Sequence, residues 1–289
     1  MKVSGFTIVR NAVKFGYPAK ESILSILPIV DEFIVAVGNS DDDTLQLIES
    51  IDSDKIRIVR SIWDGSLREH GRVLAVETNK AFDLIGSDTD WAFYLQADEV
   101  VHEKYHAPIV AGMKAWLNNP QVEGLLFDYK HFYGAYDYIG DARRWYRKEI
   151  RIIRNDKSIR SYKDAQGFRK DGRKLRVKPV KAEIYHYGWI KHPRVMQEKM
   201  RHFHRFWHDD KWIEEALGKG ELFDYSQIDS LRKFDGTHPE VMEERIYNLN
   251  WDIDFNPAEK KLSFKNRLLY WIEQATGKRL GEYRNYRII

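Results

Sequence analysis

Polar side chains that suit metal and phosphate chemistry follow directly on a buried strand in the stretch Trp91–Glu103. The stretch opens with an apolar and aromatic run, WAFYL, which has the length of a buried strand. It then changes to Gln96, Asp98 and Glu99, which we expect at the carboxyl edge of a sheet, where open α/β sheets bind ligands. Oxygen ligands there suit a hard cation such as Mg²⁺ or Mn²⁺, which often accompanies a phosphate. An ordinary acidic turn after a strand is the alternative interpretation.

A second acidic stretch, Gly38–Thr44, follows another apolar run and contains three consecutive aspartates. Three carboxylates after a buried strand are costly unless they are solvated or bound to a ligand. One hypothesis is therefore that Asp41 or a neighbouring carboxylate binds a ribose or a base. The alternative is helix capping, because a helix is predicted from Thr44 and carboxylates at a helix N-terminus interact favourably with its dipole.

Two later segments carry further candidate residues. Residues 164–169 read DAQGFR, and residues 185–193 read YHYGWIKHP, with His186 inside a strand predicted over Ala182–Trp189. The chain from 163 to 181 is strongly basic. Such a run is typical either of an anion-binding surface or of a solvated basic face.

Three histidines lie in an amphipathic helix predicted over Arg194–His208. Only His204 and His208 share a helix face, and the sequence lacks the H-E-x-x-H arrangement of a zinc site. We therefore interpret His202 and its two neighbours as a solvent-facing helix surface rather than as a metal site.

The elements that must position these residues alternate between strand and helix. Apolar runs at 4–9, 33–37 and 56–59 are separated by predicted helices, which is the pattern of a parallel α/β sheet. A further helix is predicted over Leu67–Ile85. Right-handed crossovers make such a unit Rossmann-like. The G-x-G-x-x-G fingerprint is absent from the sequence, so a nicotinamide or flavin site is not expected.

The pattern changes after Pro193, where helical periodicity and a polar, aromatic tail replace the strands. The predicted fold class is α/β, with a mostly parallel, Rossmann-like sheet flanked by helices. We predict a core at 1–192 and a C-terminal helical extension, 193–289, packed on it. A chain of 289 residues is long enough for one large domain with such an appendage.

Composition excludes several classes of function. The formal net charge of +3 gives no bulk case for nucleic-acid binding. The absence of cysteine excludes disulfides, thiol catalysis and Cys-ligated zinc, and it agrees with a reducing compartment. The first residues turn polar too soon for a signal peptide, and no run approaches the roughly 18 apolar residues of a membrane span. A cytoplasmic protein is expected, with attachment to the inner face of the membrane left open.

In this order the motifs resemble those of glycosyltransferase family 2, which has the GT-A fold. The resemblance covers Val3–His192 and begins with Arg10-Asn11 after the first strand and the acidic loop after the second. QADE then stands where that family carries its metal-binding Asp-x-Asp, and the DAQGFR and YHYGWIKHP segments resemble a bacterial branch of the family. One departure is that Gln96 replaces the first Asp, which leaves Asp98 to match the motif. An amide carries less charge than a carboxylate, so the departure bears on metal binding more than on the fold.

The resemblance implies an inverting transfer of a sugar from a nucleotide-sugar donor to the hydroxyl of a glycan or lipid-linked acceptor. It implies that Asp98 and His186 hold Mn²⁺ or Mg²⁺. The leaving diphosphate needs such a cation or basic side chains, and the acceptor hydroxyl must lose its proton to a carboxylate. Asp164 is the preferred base, with Glu99 and Asp128 as alternatives.

Further residues would contact the donor and the sugars. The donor-binding residues that the resemblance implies are Arg10, Asn11, Asn39, Asp41, Asp43, Gln96, Asp98 and Arg169. Lys178 and Lys181 are additional candidates to meet the diphosphate. Tyr133, Tyr136 and Trp189 could stack on sugar rings, although core packing is the more common fate of an aromatic side chain.

Two other classes of function stay open. A sugar-phosphate nucleotidyltransferase would need a glycine-rich, basic loop after the first strand, and residues 10–16 match that loop poorly. A protein that binds nucleotide sugars without turnover is the other, and Gln96 in place of the first Asp makes it worth testing. The oligomeric state is also open, with the helical extension as a candidate dimer contact.

Overall fold

The structure, a computed structural model, describes residues 1–67, 69–217 and 220–289. Its strands are β1 (Val3–Val9), β2 (Glu32–Gly38), β3 (Ile56–Ser61), β4 (Trp91–Tyr94), β5 (Glu99–Val101), β6 (Gly124–Tyr133), β7 (Ala135–Gly140), β8 (Lys148–Arg154), β9 (Ile159–Tyr162), β10 (Gly167–Lys170), β11 (Arg173–Lys174), β12 (Arg176–Trp189), β13 (Leu231–Lys233) and β14 (Arg287–Ile288). Its α-helices are α1 (Ala19–Ile26), α2 (Thr44–Glu49), α3 (Arg72–Asp83), α4 (His106–Trp116), α5 (Pro193–His204), α6 (Asp210–Leu217), α7 (Glu243–Tyr247) and α8 (Phe264–Thr276).

The first half of the main sheet is parallel. β1 lies between β2 and β4, and β3 pairs with the other side of β2. The apolar runs that form β1, β2 and β4 are almost wholly buried, as expected for strands that are covered on both faces. Because these strands point the same way, their carboxyl ends meet at one edge of the sheet. The chain leaves three of them there, towards Arg10, Asn39 and Gln96.

The second half of the sheet is mixed. β8 pairs antiparallel with β4 and with β6, and the sheet continues through β7 to β13. β12 runs parallel to β6 and also pairs with β5 and β14, and its register sets His186 beside His131. A separate small sheet of β9, β10 and β11 is antiparallel. The turn between β9 and β10, residues 163–166, carries Asp164.

Helices cover both faces of the main sheet. On one face, α1, α2 and α4 pack on a core that includes Ile23, Ile48 and Met113. On the other face, α3 packs through Val73 and Phe82. The prediction of an α/β fold with a Rossmann-like sheet flanked by helices is confirmed. Within the ranges described, no helix is both long enough and apolar enough to cross a membrane.

The segment after residue 192 contributes strands as well as helices. It includes α5 to α8, but β13 also extends the edge of the sheet against β7, and β14 pairs with β12. The predicted helices are therefore accompanied by two short strands, which satisfy backbone groups that an open sheet edge would leave unpaired. The division of the chain at residue 192 stays a prediction.

One predicted helix is shorter than its sequence pattern. The helix predicted over Leu67–Ile85 begins at Arg72. Gly71 before it has a left-handed φ of 68°, and its N–H donates to the Phe206 carbonyl at 3.1 Å. The chain therefore turns at this glycine instead of continuing the helix backwards. Arg68 of the predicted segment lies outside the described residues.

Candidate active site

A cavity of about 430 Å³ opens at the carboxyl edge of the parallel strands. It is lined by the ends of β1 and β4, by β12, by the turn between β9 and β10, and by α5 and the residues after it. This volume suits a small ligand. Its charged, amide and imidazole lining residues are Arg10, Gln96, Asp98, Asp164, Gln166, His186, Lys199, His202 and His204.

Asp98 is the carboxylate on which several of these side chains converge. Its Oδ2 atom lies 3.6 Å from Nε2 of His186 and 3.8 Å from Nζ of Lys199. Burial alone would raise the pKa of the Asp98 carboxyl, but attraction by His186 and Lys199 outweighs it and holds the pKa well below its ordinary value. Asp98 therefore stays ionised and presents a negative charge in the cavity.

Gly188 makes room for the Asp98–His186 pair. A Cβ atom at Gly188 would stand 2.5 Å from Oδ2 of Asp98 and 2.7 Å from Nε2 of His186. The carbonyl of Gly188 also accepts a hydrogen bond of 2.8 Å from Nζ of Lys199. A residue without a side chain is therefore required at this point of β12, because any Cβ would push both polar groups apart.

Two buried lysines add positive charge near Asp98. The ammonium groups of Lys199 and Lys191 lie 5.0 and 4.4 Å from the centroid of the Tyr17 ring. Lys191 is 1% exposed and donates to the carbonyl of Gly16 at 3.2 Å. Burial lowers the pKa of both lysines, and Asp98 opposes this effect. Cations held in a poorly hydrated site are suited to meeting an anionic ligand.

Asp164 lies in a turn with a strained backbone. Its neighbours Lys163 and Ala165 have φ values of 55° and 58°, in the left-handed region that residues with a side chain rarely adopt. Burial raises the pKa of Asp164 above its ordinary value. A carboxylate with a raised pKa accepts a proton more readily near neutral pH, so Asp164 is suited to act as a general base.

Two hydrogen bonds tie this turn to the rest of the cavity. Nε2 of Gln96 donates to the carbonyl of Ala165 at 3.4 Å. Nη1 of Arg151 donates to the carbonyl of Gln166 at 2.8 Å. The Gln96 contact gives a physical reason for an amide in place of the first Asp of Asp-x-Asp, because an ionised carboxylate has no hydrogen to donate.

An aromatic slot, formed by Trp63, Phe206, Ile8 and Leu74, makes up an apolar part of the lining. The Trp63 and Phe206 rings lie 6.2 Å apart between centroids, and the Arg10 guanidinium lies 5.5 Å from the Trp63 ring. Flat rings beside a cation are suited to stacking on a base, because every base presents a π face.

The structure brings five of the predicted site residues to the cavity. They are Arg10, Gln96, Asp98, Asp164 and His186. The two predicted metal ligands adjoin each other although they come from different strands, one after β4 and the other within β12. Their role as metal ligands stays a prediction.

The acidic loop after β2 does not line the cavity. Asp41 is exposed and pairs with Lys14 at 2.7 Å, and Asp43 is exposed at the start of α2. Oδ1 of Asp42 accepts from the backbone N–H of Thr44 at 3.0 Å. Local loop and helix-start contacts account for the carboxylates of Asp41 and Asp42, and direct donor contacts by Asp41 and Asp43 stay a prediction.

Asn11 and Asn39 hold loops together instead of facing the cavity. Oδ1 of Asn11 accepts from the backbone N–H of Asp41 at 3.0 Å, and Oδ1 of Asn39 accepts from the backbone N–H of Trp63 at 3.1 Å. Nε of Arg10 donates to the carbonyl of Asn39 at 3.1 Å. The acceptor oxygens of both asparagines are thus used within the protein, and direct donor binding by Asn11 and Asn39 stays a prediction.

The two alternative bases, Glu99 and Asp128, are paired with basic side chains and do not line the cavity. Glu99 is 0% exposed, and Arg151 donates to both of its carboxylate oxygens at 2.7 Å. The hydroxyl of Tyr129 adds a third bond to Glu99 at 2.9 Å. Asp128 forms an ion pair with Lys148 and does not line the cavity. Neither carboxylate is free to take a proton from a substrate held there.

The basic candidates of the 163–181 run lie away from the cavity lining. Nη1 of Arg169 donates to the carbonyl of Asn285 at 2.7 Å. The ammonium of Lys178 lies 4.7 Å from the Trp116 ring, and Lys181 is exposed. The two lysines belong to β12, which begins at 176, and not to a loop at the sheet edge. Diphosphate binding by the three residues stays a prediction.

Residues of α5 line the cavity, including His202 and His204, for which the sequence predicts a solvent-facing surface. His202 lies 5.0 Å from the Phe15 ring between centroids, and burial lowers its pKa to about 4. Lys199 was missed, although the sequence contains a signal for it. Met196, Lys199, Met200 and Phe203 share one helix face, and a lysine within an apolar stripe indicates a buried charge.

The resemblance implies a divalent cation, and the residues can be tested for their fit to one. Across 1–67, 69–217 and 220–289, no three His, Cys, Asp or Glu side chains are grouped so as to hold a metal ion. The chain offers a pair, a carboxylate oxygen of Asp98 facing an imidazole nitrogen of His186 at 3.6 Å. Mg²⁺ is commonly bound by one or two protein ligands together with substrate phosphates, and Mn²⁺ accepts oxygen and imidazole ligands. The pair therefore fits a cation that is shared with a bound phosphate group.

Comparison with known proteins gives no relative by sequence. No protein-family model matches the chain, and no curated protein matches it. The function of this chain has therefore to be argued from its own residues.

Some solved structures share part of the backbone arrangement. TarS from S. aureus is 16% identical over 79% of this chain and 42% of its own, with a TM-score of 0.42. Residues 1–349 of TarS in complex with UDP-GlcNAc are 14% identical over 76% of this chain and 71% of that one, with a TM-score of 0.41. A third structure is glucosyl-3-phosphoglycerate synthase from Mycobacterium tuberculosis in complex with Mn²⁺, UDP and glucosyl-3-phosphoglycerate. It is 17% identical over 46% of this chain and 44% of its own, with a TM-score of 0.29. The chain spans less than half the length of TarS, and these TM-scores describe partial overlap.

Proposed function

We propose that this protein is a glycosyltransferase that binds a nucleoside diphosphate sugar in the cavity and transfers the sugar to an acceptor hydroxyl. The observation that carries the proposal is that one cavity contains both Asp98 with its cationic neighbours and, separately, the carboxylate of Asp164. Glycosyl transfer needs both parts, because negative charge develops on the leaving diphosphate and the acceptor hydroxyl must lose a proton.

The diphosphate is proposed to bind beside Asp98, His186 and Lys199. A divalent cation held by Asp98 and His186 would stabilise the negative charge of the leaving group as a Lewis acid. Lys199 supplies a second positive charge that does not depend on a metal, since its Nζ already lies 3.8 Å from Oδ2 of Asp98. A cation in a poorly hydrated site acts more strongly on a phosphate than an exposed cation does.

The nucleoside is proposed to occupy the aromatic slot. Trp63 offers the flat face on which a base stacks, and Arg10 adds a cation above the same ring at 5.5 Å. Arg10 and Asp98 follow neighbouring parallel strands, so both ends of a nucleoside diphosphate would be held at one sheet edge. This arrangement supports binding of the whole nucleotide rather than of the phosphates alone.

Asp164 is proposed to be the base that deprotonates the acceptor hydroxyl. Among the described residues that line the cavity, the carboxylates are Asp98 and Asp164. Asp98 is engaged by His186 and Lys199, which leaves Asp164 to accept the proton. A single available carboxylate supports direct displacement with inversion, because a covalent mechanism needs a nucleophile in addition to the acid or base.

The acceptor, location and assembly are part of the same proposal. We propose a hydroxyl of a glycan or lipid-linked sugar as the acceptor, and Trp189 in the cavity lining offers a ring face for it. A chain without cysteine supports a reducing compartment such as the cytoplasm. Attachment at the inner face of the membrane and assembly as a homodimer are further parts of the hypothesis.

The proposal can be tested by thermal stabilisation of the purified protein. The melting temperature would be measured with UDP, GDP, dTDP and CMP, each in Mn²⁺ and in EDTA. We expect one nucleoside diphosphate to raise the melting temperature, and to raise it further in Mn²⁺. The nucleotide that does so identifies the donor to be offered in a turnover assay.

Each other outcome contradicts a defined part of the proposal. Stabilisation without release of nucleoside diphosphate from any matching sugar nucleotide would favour a binding protein without turnover. Release of pyrophosphate from a nucleoside triphosphate and a sugar phosphate would favour a nucleotidyltransferase. No stabilisation by any of the four nucleotides would contradict the donor site itself.

A further inference from the structure

His186 uses its second ring nitrogen to bond to another buried histidine. Nδ1 of His186 lies 3.1 Å from Nδ1 of His131. Nε2 of His131 lies 2.8 Å from the carbonyl oxygen of Tyr146. The carbonyl and the two imidazoles form a chain of hydrogen bonds, and the last ring, His186, faces Asp98 at 3.6 Å. We refer to these three groups as the His131 relay.

The carbonyl sets the direction of each hydrogen bond in the His131 relay. A carbonyl oxygen only accepts, so Nε2 of His131 must carry a hydrogen. A neutral His131 then has its lone pair on Nδ1, and Nδ1 of His186 must be the donor between the two rings. When His186 is neutral, its Nε2 atom is therefore the nitrogen with a lone pair, and this atom faces Asp98.

The surroundings of His131 keep its ring neutral. The residue is 2% exposed and stacks between Tyr129 and Trp145, with centroids at 5.5 and 5.1 Å. Its two ring nitrogens bond to a carbonyl and to an imidazole, and neither partner carries a negative charge. A charge in such a position is unfavourable, because burial penalises the charged form and no opposite charge bonds to the ring.

Strand pairing produces this geometry. β6 and β12 run parallel, and their register places His131 directly beside His186. Adjacent residues on paired strands point to the same face of the sheet, so the two imidazoles meet without any loop to position them. A hydrogen bond between side chains of two paired strands has a fixed geometry. A residue that orients a metal ligand through such a bond needs that fixed geometry.

We propose that His131 is a positioning residue for a divalent cation, because it holds His186 in the tautomer whose Nε2 lone pair faces Asp98. This inference rests on the proposed donor site. An imidazole without such a partner populates both tautomers. Without His131, part of the His186 population would carry a hydrogen on Nε2, and that hydrogen would have to leave before the nitrogen could bind a metal.

Two substitutions separate this role from simple packing. His131→Phe keeps a ring between Tyr129 and Trp145 but removes both nitrogens. His131→Gln offers an amide oxygen to accept from His186 and an amide N–H to donate to Tyr146, so it can restore the His131 relay. MnCl₂ would be titrated calorimetrically into each protein in the presence of saturating UDP, or of whichever nucleoside diphosphate stabilises the wild type.

We expect the affinity for Mn²⁺ to fall about 10- to 100-fold in His131→Phe, which is typical for loss of a ligand-orienting partner. His131→Gln should recover most of that loss. The affinity for the nucleotide in EDTA should be the same in all three proteins. A substitution that merely disrupted the cavity would lower this affinity as well. Equal Mn²⁺ affinity in the wild type and His131→Phe would overturn the proposal.

A second measurement is made on the wild type and does not require a His131 variant to fold. The ¹⁵N chemical shifts of the histidine rings in the wild type at alkaline pH report which nitrogen carries the hydrogen, with His186→Gln used for assignment. We expect a hydrogen on Nδ1 of His186 and none on Nε2, and the opposite tautomer would overturn the proposal. If the wild type binds a nucleotide but no Mn²⁺, the role of His131 towards a cation is overturned while the donor site stands. If it binds no nucleotide in EDTA or in Mn²⁺, the proposed donor site itself fails.

Discussion

Glu99 and Arg151 form a fully buried, bidentate ion pair next to Asp98 in the chain. Nε and Nη2 of Arg151 each donate to a carboxylate oxygen of Glu99 at 2.7 Å, and both side chains are 0% exposed. Arg151 also donates to the carbonyl of Gln166 in the turn that carries Asp164. The two acidic residues of the QADE motif therefore differ in role. Asp98 faces the ligand cavity, and Glu99 connects the end of β4 to the turn with the proposed base.

Glu99→Gln should destabilise the fold, because it leaves the Arg151 guanidinium buried without a carboxylate. We expect the free energy of unfolding, measured with a chemical denaturant, to fall by about 3 kcal/mol. Glu215→Gln is a suitable control, since Glu215 is exposed and its ion pair with Lys211, at 4.0 Å, lies on the surface. Its effect should stay below about 0.5 kcal/mol. A loss of less than about 1 kcal/mol for Glu99→Gln would contradict the structural role of this pair.

Gly188→Ala should remove the metal-dependent part of nucleotide binding. The added methyl group would stand 2.5 Å from Oδ2 of Asp98 and 2.7 Å from Nε2 of His186, so the two proposed ligands would have to separate. The readout is the extra rise in melting temperature that Mn²⁺ gives in the presence of nucleotide. Gly65→Ala is the control, because a Cβ there meets nothing within 4 Å. Retention of the full metal effect in Gly188→Ala would count against the site.

Lys199→Met should weaken nucleotide binding even when no metal is present. Loss of a buried, charged hydrogen-bond donor is expected to lower the affinity for the nucleoside diphosphate in EDTA by about 10- to 100-fold. Calorimetry measures this directly. Lys211→Met serves as the matched control because the Lys211 side chain is 84% exposed, and its affinity should be unchanged. Equal losses in both variants would point to a bulk charge effect and not to a specific contact.

Asp164→Asn should slow turnover strongly while leaving nucleotide binding intact. We expect the release of nucleoside diphosphate from the donor to slow by about 10²- to 10⁴-fold, the usual contribution of a general base. The wild-type rate should fall as the pH drops through the raised pKa of Asp164, because the protonated carboxyl cannot accept a proton. That decline should begin above the ordinary value of 3.8. The same decline in a residually active Asp164→Asn protein would assign it to another group.

Glu149 should make the stability of the fold depend on pH. Burial raises the pKa of its carboxyl to about 7 in the folded protein, against 4.5 for an ordinary glutamate. The folded state therefore keeps this proton longer than the unfolded state does, so its stabilising effect is present below about pH 4.5 and is lost as the pH rises through about 7. Between about pH 5 and pH 8, we expect the free energy of unfolding of the wild type to fall by about 1–3 kcal/mol relative to Glu149→Gln. If the free energies of unfolding of the wild type and Glu149→Gln changed in parallel with pH, this prediction would be contradicted.

The position of the cavity could be predicted because it depends on local patterns. Buried runs of strand length end in polar residues, and parallel strands bring those ends to one edge of a sheet. Arg10, Gln96 and Asp98 follow this rule. Asp41 and Asp43 also follow a buried strand but do not line the cavity. A carboxylate at a sheet edge can equally serve a neighbouring lysine or a helix start, and a single sequence does not separate these uses.

Long-range packing determines the part of the site that the sequence did not reveal. His131 joins His186 through the register of β6 with β12, across 55 positions of the chain. Lys199 reaches Asp98 because α5 packs over the cavity, and helical periodicity identifies α5 without showing where it docks. Arg151 is a similar case, since its position within β8 carries no sign of its pairing with Glu99.

The central claim is that Asp98 and His186 bind a divalent cation together with a nucleoside diphosphate. The most direct test is a calorimetric titration of the stabilising nucleotide into the wild type and Asp98→Asn, each in Mn²⁺ and in EDTA. The account predicts that Mn²⁺ strengthens binding at least about tenfold in the wild type, or roughly 1.4 kcal/mol, and has no effect in Asp98→Asn. Equal strengthening by Mn²⁺ in both proteins would contradict the claim.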